Sequence, residues 1–186
     1  MLVPDLASQV DSLIRELQEI SRRADALFTG HASSQLLRRP DENRWSAIEC
    51  IEHLNLANRS YLPRLEEAIR TLSAKNLTAR GPFRLDWNAR LLKFWLEPPS
   101  HLRLPTSARF QPIDVPEPAT AVATFQSLNQ QLEERLAAAR GLALDEARIS
   151  SPFAEKMEYS VYSAFVLIAT HNRRHLWQAE NALRTI

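Results

Sequence analysis

Apolar side chains recur at helical spacing in four long segments of this chain. In residues 4–28, Leu6, Val10, Leu13, Leu17, Ile20, Ala24 and Leu27 alternate by four and three, drawing one stripe down a helix. Asp5 beside Pro4 offers a cap, and Gly30 lets the chain leave the helix. A second stripe runs through Ala47, Ile51, Leu54, Tyr61, Leu65, Ala68 and Leu72, with Glu52, Arg59, Glu66 and Arg70 on the opposite side. It starts at Ser46-Ala47-Ile48-Glu49, where serine and glutamate have the spacing to satisfy one orphan backbone amide each. The third helix is expected over residues 119–140, with Val122, Phe125, Leu128, Leu132, Leu136 and Ala139 inward and Gly141 ending it. The fourth is expected over residues 160–184.

The stretch between helices two and three, residues 81–118, is of another kind. Pro98, Pro99, Pro105, Pro112, Pro116 and Pro118 forbid continuous helix in its second half. Residues 85–96 fit a short helix carrying Trp87, Leu91, Leu92 and Trp95. A connection this long lets helices two and three run parallel. No internal repeat and no strand pair is evident. The expectation is all-α: one four-helix-bundle domain over residues 1–186, with a long crossover between its second and third helices.

Composition narrows the function. Hydrophobic residues make up 45% and charged residues 24%, which excludes a disordered chain. Three glycines are too few for a glycine-rich phosphate loop. A formal net charge of +1, with no helix-turn-helix pattern, gives no reason to expect nucleic acid as a partner. The longest strongly apolar run, residues 164–169, is too short to span a bilayer, so no membrane association is expected. Cys50 is the only cysteine, which rules out an internal disulfide and thiolate zinc clusters. With no basic region ahead of an apolar run at the N-terminus, a cytoplasmic setting is expected.

Candidate chemistry sits in the fourth helix. Its inward seam reads Val161, Ala164, Ile168, His171, His175, Gln178, Ala182. Two histidines and a glutamine occupy positions that packing alone would fill with leucine or alanine. Burying an unpartnered imidazole costs roughly 1–3 kcal/mol, so two of them one turn apart ask for a shared explanation. Residues i and i+4 share a helix face, and both imidazoles can reach one ion about 2.0–2.1 Å away. His53, on the second helix at the edge of its apolar arc, is the best third ligand. His31, beside Gly30, and His101, among the prolines, have no seam to place them. Hydrogen-bonded histidines holding no metal are the bland alternative.

Two other helical metal motifs fail. The stretch His171-Asn172-Arg173-Arg174-His175 lacks the glutamate of H-E-x-x-H. Di-iron bundles need Glu-x-x-His, and positions 50 and 172 are Cys and Asn. Three neutral ligands and an open position suit a single catalytic ion.

At these residues the chain resembles the DinB/YfiT-like family of bacterial four-helix proteins. Arg44-Trp45-Ser46 through His53-Leu54 is similar to the family's W-S segment leading to H-L in helix two. His171 through Gln178 is similar to its H-x-x-x-H-x-x-Q signature. The resemblance implies an up-down-down-up bundle that holds nickel or zinc with His53, His171 and His175, often as a homodimer. It also implies a small-molecule substrate. Characterised relatives include metal-dependent thiol transferases that use bacillithiol or mycothiol, and others are described only as hydrolases.

The remaining candidates have plainer expected roles. Trp45 is read as a hydrophobic staple and Cys50 as small buried core. Gln178 either orients a ligand or bonds a neighbouring helix. Trp177, Arg173 and Arg174 fall off the seam and are expected at the surface or in a dimer contact. Arg80, Arg84, Arg90, Arg103 and Arg109 give the crossover a basic bias, and attract a thiol's carboxylates if it folds over the metal. The leading expectation is a metal-dependent enzyme performing thiol transfer or hydrolysis on a small molecule. The alternative is a non-catalytic, metal-stabilised dimeric module of a stress response.

Overall fold

A computed structural model describes residues 6–99 and 106–186. The expected Asp5 cap, His101 and Arg103 lie outside those residues. Four long helices form the bundle: α1 (Leu6–Thr29), α3 (Ala47–Ala74), α5 (Pro118–Ala138) and α6 (Val161–Thr185). Two short helices, α2 (Ser33–Leu37) and α4 (Trp87–Leu96), sit in the connections. Each apolar stripe faces the core, with Leu17, Ile20, Leu54, Leu65, Phe125, Leu132 and Phe165 almost wholly excluded from solvent. Ser46 caps α3 as its spacing requires: its hydroxyl accepts from the Glu49 amide at 3.2 Å, and the Glu49 carboxylate accepts from the Ser46 amide at 2.8 Å. The turn after α5 needs a positive φ, and Gly141 supplies it at 80°.

Side-chain bonds fix the helix directions. Gln9 reaches Tyr162 and Arg23 reaches Glu180, so α1 and α6 run parallel. Asp11 pairs with Arg140 and Asp25 with Gln126, so α1 and α5 are antiparallel. Asn55 donates to the Ala121 carbonyl and Arg135 pairs with Glu66, making α3 and α5 parallel. His53 meets His171 while Tyr61, two turns on, meets Tyr159 just ahead of α6; α3 and α6 are therefore antiparallel.

One feature departs from the sequence expectation of no strand pair. A short antiparallel hairpin, β1 (Arg148–Ser150) and β2 (Glu158–Ser160), precedes α6. Strands of three residues are too short to show alternation, and a side chain from far away holds them. The Asp86 carboxylate accepts from the Ser160 amide at 2.7 Å and from Arg148 at 3.1 Å. Partial burial works to raise the Asp86 pKa, but these bonds outweigh it and hold the group down at about 2. The short helix expected in the crossover is present as α4, and its outer side leaves Trp87, Leu91, Phe94 and Trp95 exposed. Among the described residues, no helix is long and apolar enough to cross a membrane.

Candidate metal centre

The antiparallel packing of α3 on α6 brings His53, His171 and His175 together. All three are buried, and one ring nitrogen of each lies within 4.8 Å of the others. The crossover orients the first. After α4, a 3-10 turn (Ala108–Phe110) carries the Phe110 carbonyl to 2.7 Å from His53 Nδ1, which must donate to it. That hydrogen bond leaves the His53 Nε2 lone pair facing α6, 3.2 Å from His171 Nε2. Two nitrogens bound to one tetrahedral ion at 2.0–2.1 Å stand about 3.3 Å apart, so the separation fits a shared metal. His175 Nδ1 is buried without a hydrogen-bond partner.

Burial also holds the set neutral. It pushes the His53 pKa down to about 4 against the opposing bond to Phe110. His171 and His175 fall well below the ordinary value, first through burial, then through the neighbouring histidines and Arg174. Neutral imidazoles are the form that ligates a divalent ion and leaves its charge undiminished.

The histidines open onto a cavity of about 850 Å³, a volume suited to a small organic molecule. Trp45 closes one side, its ring centroid 5.0 Å from His53 and 6.0 Å from His175. It also packs on the cluster containing Cys50 and Ala47, so it serves both as staple and as cavity wall. Phe153, from the hairpin loop, closes another side, 5.3 Å from His171 and 4.4 Å from Phe110. Tyr61 lines the cavity too, its hydroxyl 2.6 Å from that of Tyr159. Cys50 is buried, as expected, and borders the cavity; burial first and Glu49 second push its thiol up to about 12.

Other sequence expectations need correction. Arg174 is buried rather than on the surface: it lines the cavity and donates to the Trp95 carbonyl at 3.3 Å. Its position three residues after His171 and four before Gln178 was the available signal, since both spacings put it beside the seam. Arg173 is half-buried in ion pairs with Glu97, at 2.8 Å, and Glu16, tying α6 to α1 and to the end of α4. Trp177 and Gln178 both line the cavity. Arg80, Arg84, Arg90 and Arg109 are exposed and do not line it. The crossover instead lends the cavity Leu92, Leu96 and Thr106. His31 stands apart, bonded to the Leu27 carbonyl at 2.8 Å. Phe153 and the Phe110 carbonyl were illegible beforehand, because neither a loop side chain nor a backbone oxygen leaves a periodic trace.

No curated protein matches the chain. The solved structure of YfiT from Bacillus subtilis, described as a probable metal-dependent hydrolase with an unusual four-helix bundle topology, superposes with a TM-score of 0.59. The match covers 94% of this chain and 86% of that one at 18% identity, and so shows a shared fold. The sequence profile of the DinB superfamily spans residues 16–179, which takes in all three histidines and both motifs around them; the chain belongs to the DinB superfamily.

Proposed function

We propose that this protein is a metal-dependent enzyme acting on a small molecule, with zinc or nickel held by His53, His171 and His175. The observation that carries the reading is the placement of three neutral imidazoles within 4.8 Å of one another, beside a cavity of about 850 Å³. An ion that served only to lock the bundle would suit a closed site, so the cavity weighs against a purely structural module. Once bound, a divalent ion there supplies Lewis acidity that lowers the pKa of a thiol or water reaching it. The chain's own part is to orient and to exclude water. The Phe110 carbonyl fixes the His53 tautomer, while Trp45 and Phe153 dry two sides of the site.

No aspartate or glutamate lines the cavity among the described residues. That favours thiol transfer, because a thiolate attacks an electrophile without a separate general base. Zinc- or nickel-loaded protein supplied with bacillithiol or mycothiol and a model electrophile is expected to form the conjugate, and His171→Ala to abolish it. No metal-dependent turnover with either thiol would rule the transfer reading out. Hydrolysis is the second reading, supported by the description of the similarly folded YfiT. Ester and amide substrates on the same loaded protein test it.

We also propose that a second copy covers the outer side of α4, in a reducing cytoplasmic setting. Trp87 is 79% and Phe94 75% exposed, beside Leu91 and Trp95. Together they present apolar surface on the order of 500 Å². With the intervening polar stems this approaches the roughly 800 Å² per partner of a standard interface. Sedimentation should give a dimer that Trp87→Glu dissociates; a wild-type monomer would refute the pairing.

A further inference from the structure

The cavity's walls are mostly apolar, but the charge it carries has one sign. Among the described residues, the charged side chains lining it are Arg44, Arg174 and Arg184, and no aspartate or glutamate lines it. Two of these mark one end. Arg44 donates to the Thr185 hydroxyl at 3.2 Å, which places it against the last turn of α6, the turn that carries Arg184. Arg184 in turn donates to the Asn181 amide oxygen at 3.4 Å. Outside the cavity, Asp41 stands 3.7 Å from Arg44, with half of its own side chain exposed. A solvated pair of that length binds weakly and leaves the guanidinium available to a better partner.

Distance separates this end from the histidines. From His175 to Arg184 is nine residues of α6, which at the helical rise is about 13–14 Å. The indole rings of Trp45 and Trp177 line the interval. Guanidinium groups at the open end of a largely apolar cleft, with no aspartate or glutamate in the wall, match a carboxylate in charge and in planar geometry.

We propose that the substrate is an elongated organic anion. Its reactive group lies at the histidines, its apolar middle against Trp45 and Trp177, and its carboxylate at Arg44 and Arg184. The proposal rests on the reading of this cavity as the substrate site, but the carboxylate subsite does not require the metal.

Calorimetric titration with octanoate and with octanamide, which differ in charge at one end, tests it. Octanoate is expected to bind zinc-loaded protein about tenfold more tightly than octanamide. That preference should vanish in Arg44→Gln/Arg184→Gln protein and persist in His171→Ala/His175→Ala protein. Equal binding of the two probes to the wild type would overturn the proposal without any variant. So would a preference that survives loss of both arginines. A preference that disappears with the histidines would show the carboxylate sitting at the metal instead, and would also overturn it. Failure of zinc to bind at all would strike the metal reading alone, since the comparison of probes still reads in metal-free protein.

Discussion

The two antiparallel helix pairs of this bundle are built alike and filled differently. Between α1 and α5, Leu17, Ile20, Phe125, Leu128 and Leu132 close the space. The one buried amide there, Asn129, donates to the Leu17 carbonyl at 2.8 Å and to Ser21 at 2.7 Å. Between α3 and α6, the half around Leu54, Leu65, Phe165 and Ile168 is packed in the same way. The other half holds three converging imidazoles and opens onto a cavity. Where packing alone decides the residues, apolar side chains fill the space; where three imidazoles converge instead, the space between the helices opens onto a cavity.

Mutation should separate the two pairs. Phe125→Ala on the packed side should cost about 3–5 kcal/mol in denaturant unfolding, the largest effect of any single substitution considered. Metal stoichiometry of the folded fraction should be unchanged; a lost site would mean the pairs are not independent.

The hairpin that carries Phe153 should come next. Asp86→Asn is expected to cost about 1–2 kcal/mol at neutral pH through the bonds to Ser160 and Arg148. Because folding depresses the Asp86 pKa from 3.8 to about 2, its stabilisation is present above the ordinary value and lost as the pH falls to about 2. Melting curves of wild type and variant should therefore converge across that acid window; a gap that stays constant to pH 2 would disprove the assignment.

Ser46→Ala removes a cap at the cavity end of α3 and should cost about 1 kcal/mol. The smallest effect on stability, below about 1 kcal/mol, is expected for Phe153→Ala, since that ring is 37% exposed. Its effect on turnover should be larger, because water then reaches the histidines. A variant with unaltered metal-dependent rate would remove Phe153 from the site.

The packed half was the legible half. Stripes such as Leu13–Leu17–Ile20–Ala24 and the Ser46–Glu49 box are local rules, and each stands where its spacing put it. His171 and His175 were legible as violations of such a stripe on α6, while His53 was chosen at the edge of the α3 stripe and by family resemblance. What escaped notice acts across long sequence separations. Asp86 holds a hairpin some seventy residues away, and the Phe110 carbonyl orients a histidine in α3. Arg44, just ahead of α3, meets Thr185 at the end of α6 only because α3 and α6 run antiparallel. The crossover arginines were misplaced for the same reason: a charge bias in a proline-rich segment carries no information about which way the segment faces.

Metal content tests the central claim most directly. Elemental analysis of untagged protein, beside the His171→Ala/His175→Ala double variant, should find close to one zinc or nickel ion per chain in the wild type and none in the variant. Wild-type protein that carries no metal and takes up neither ion on addition would contradict the account.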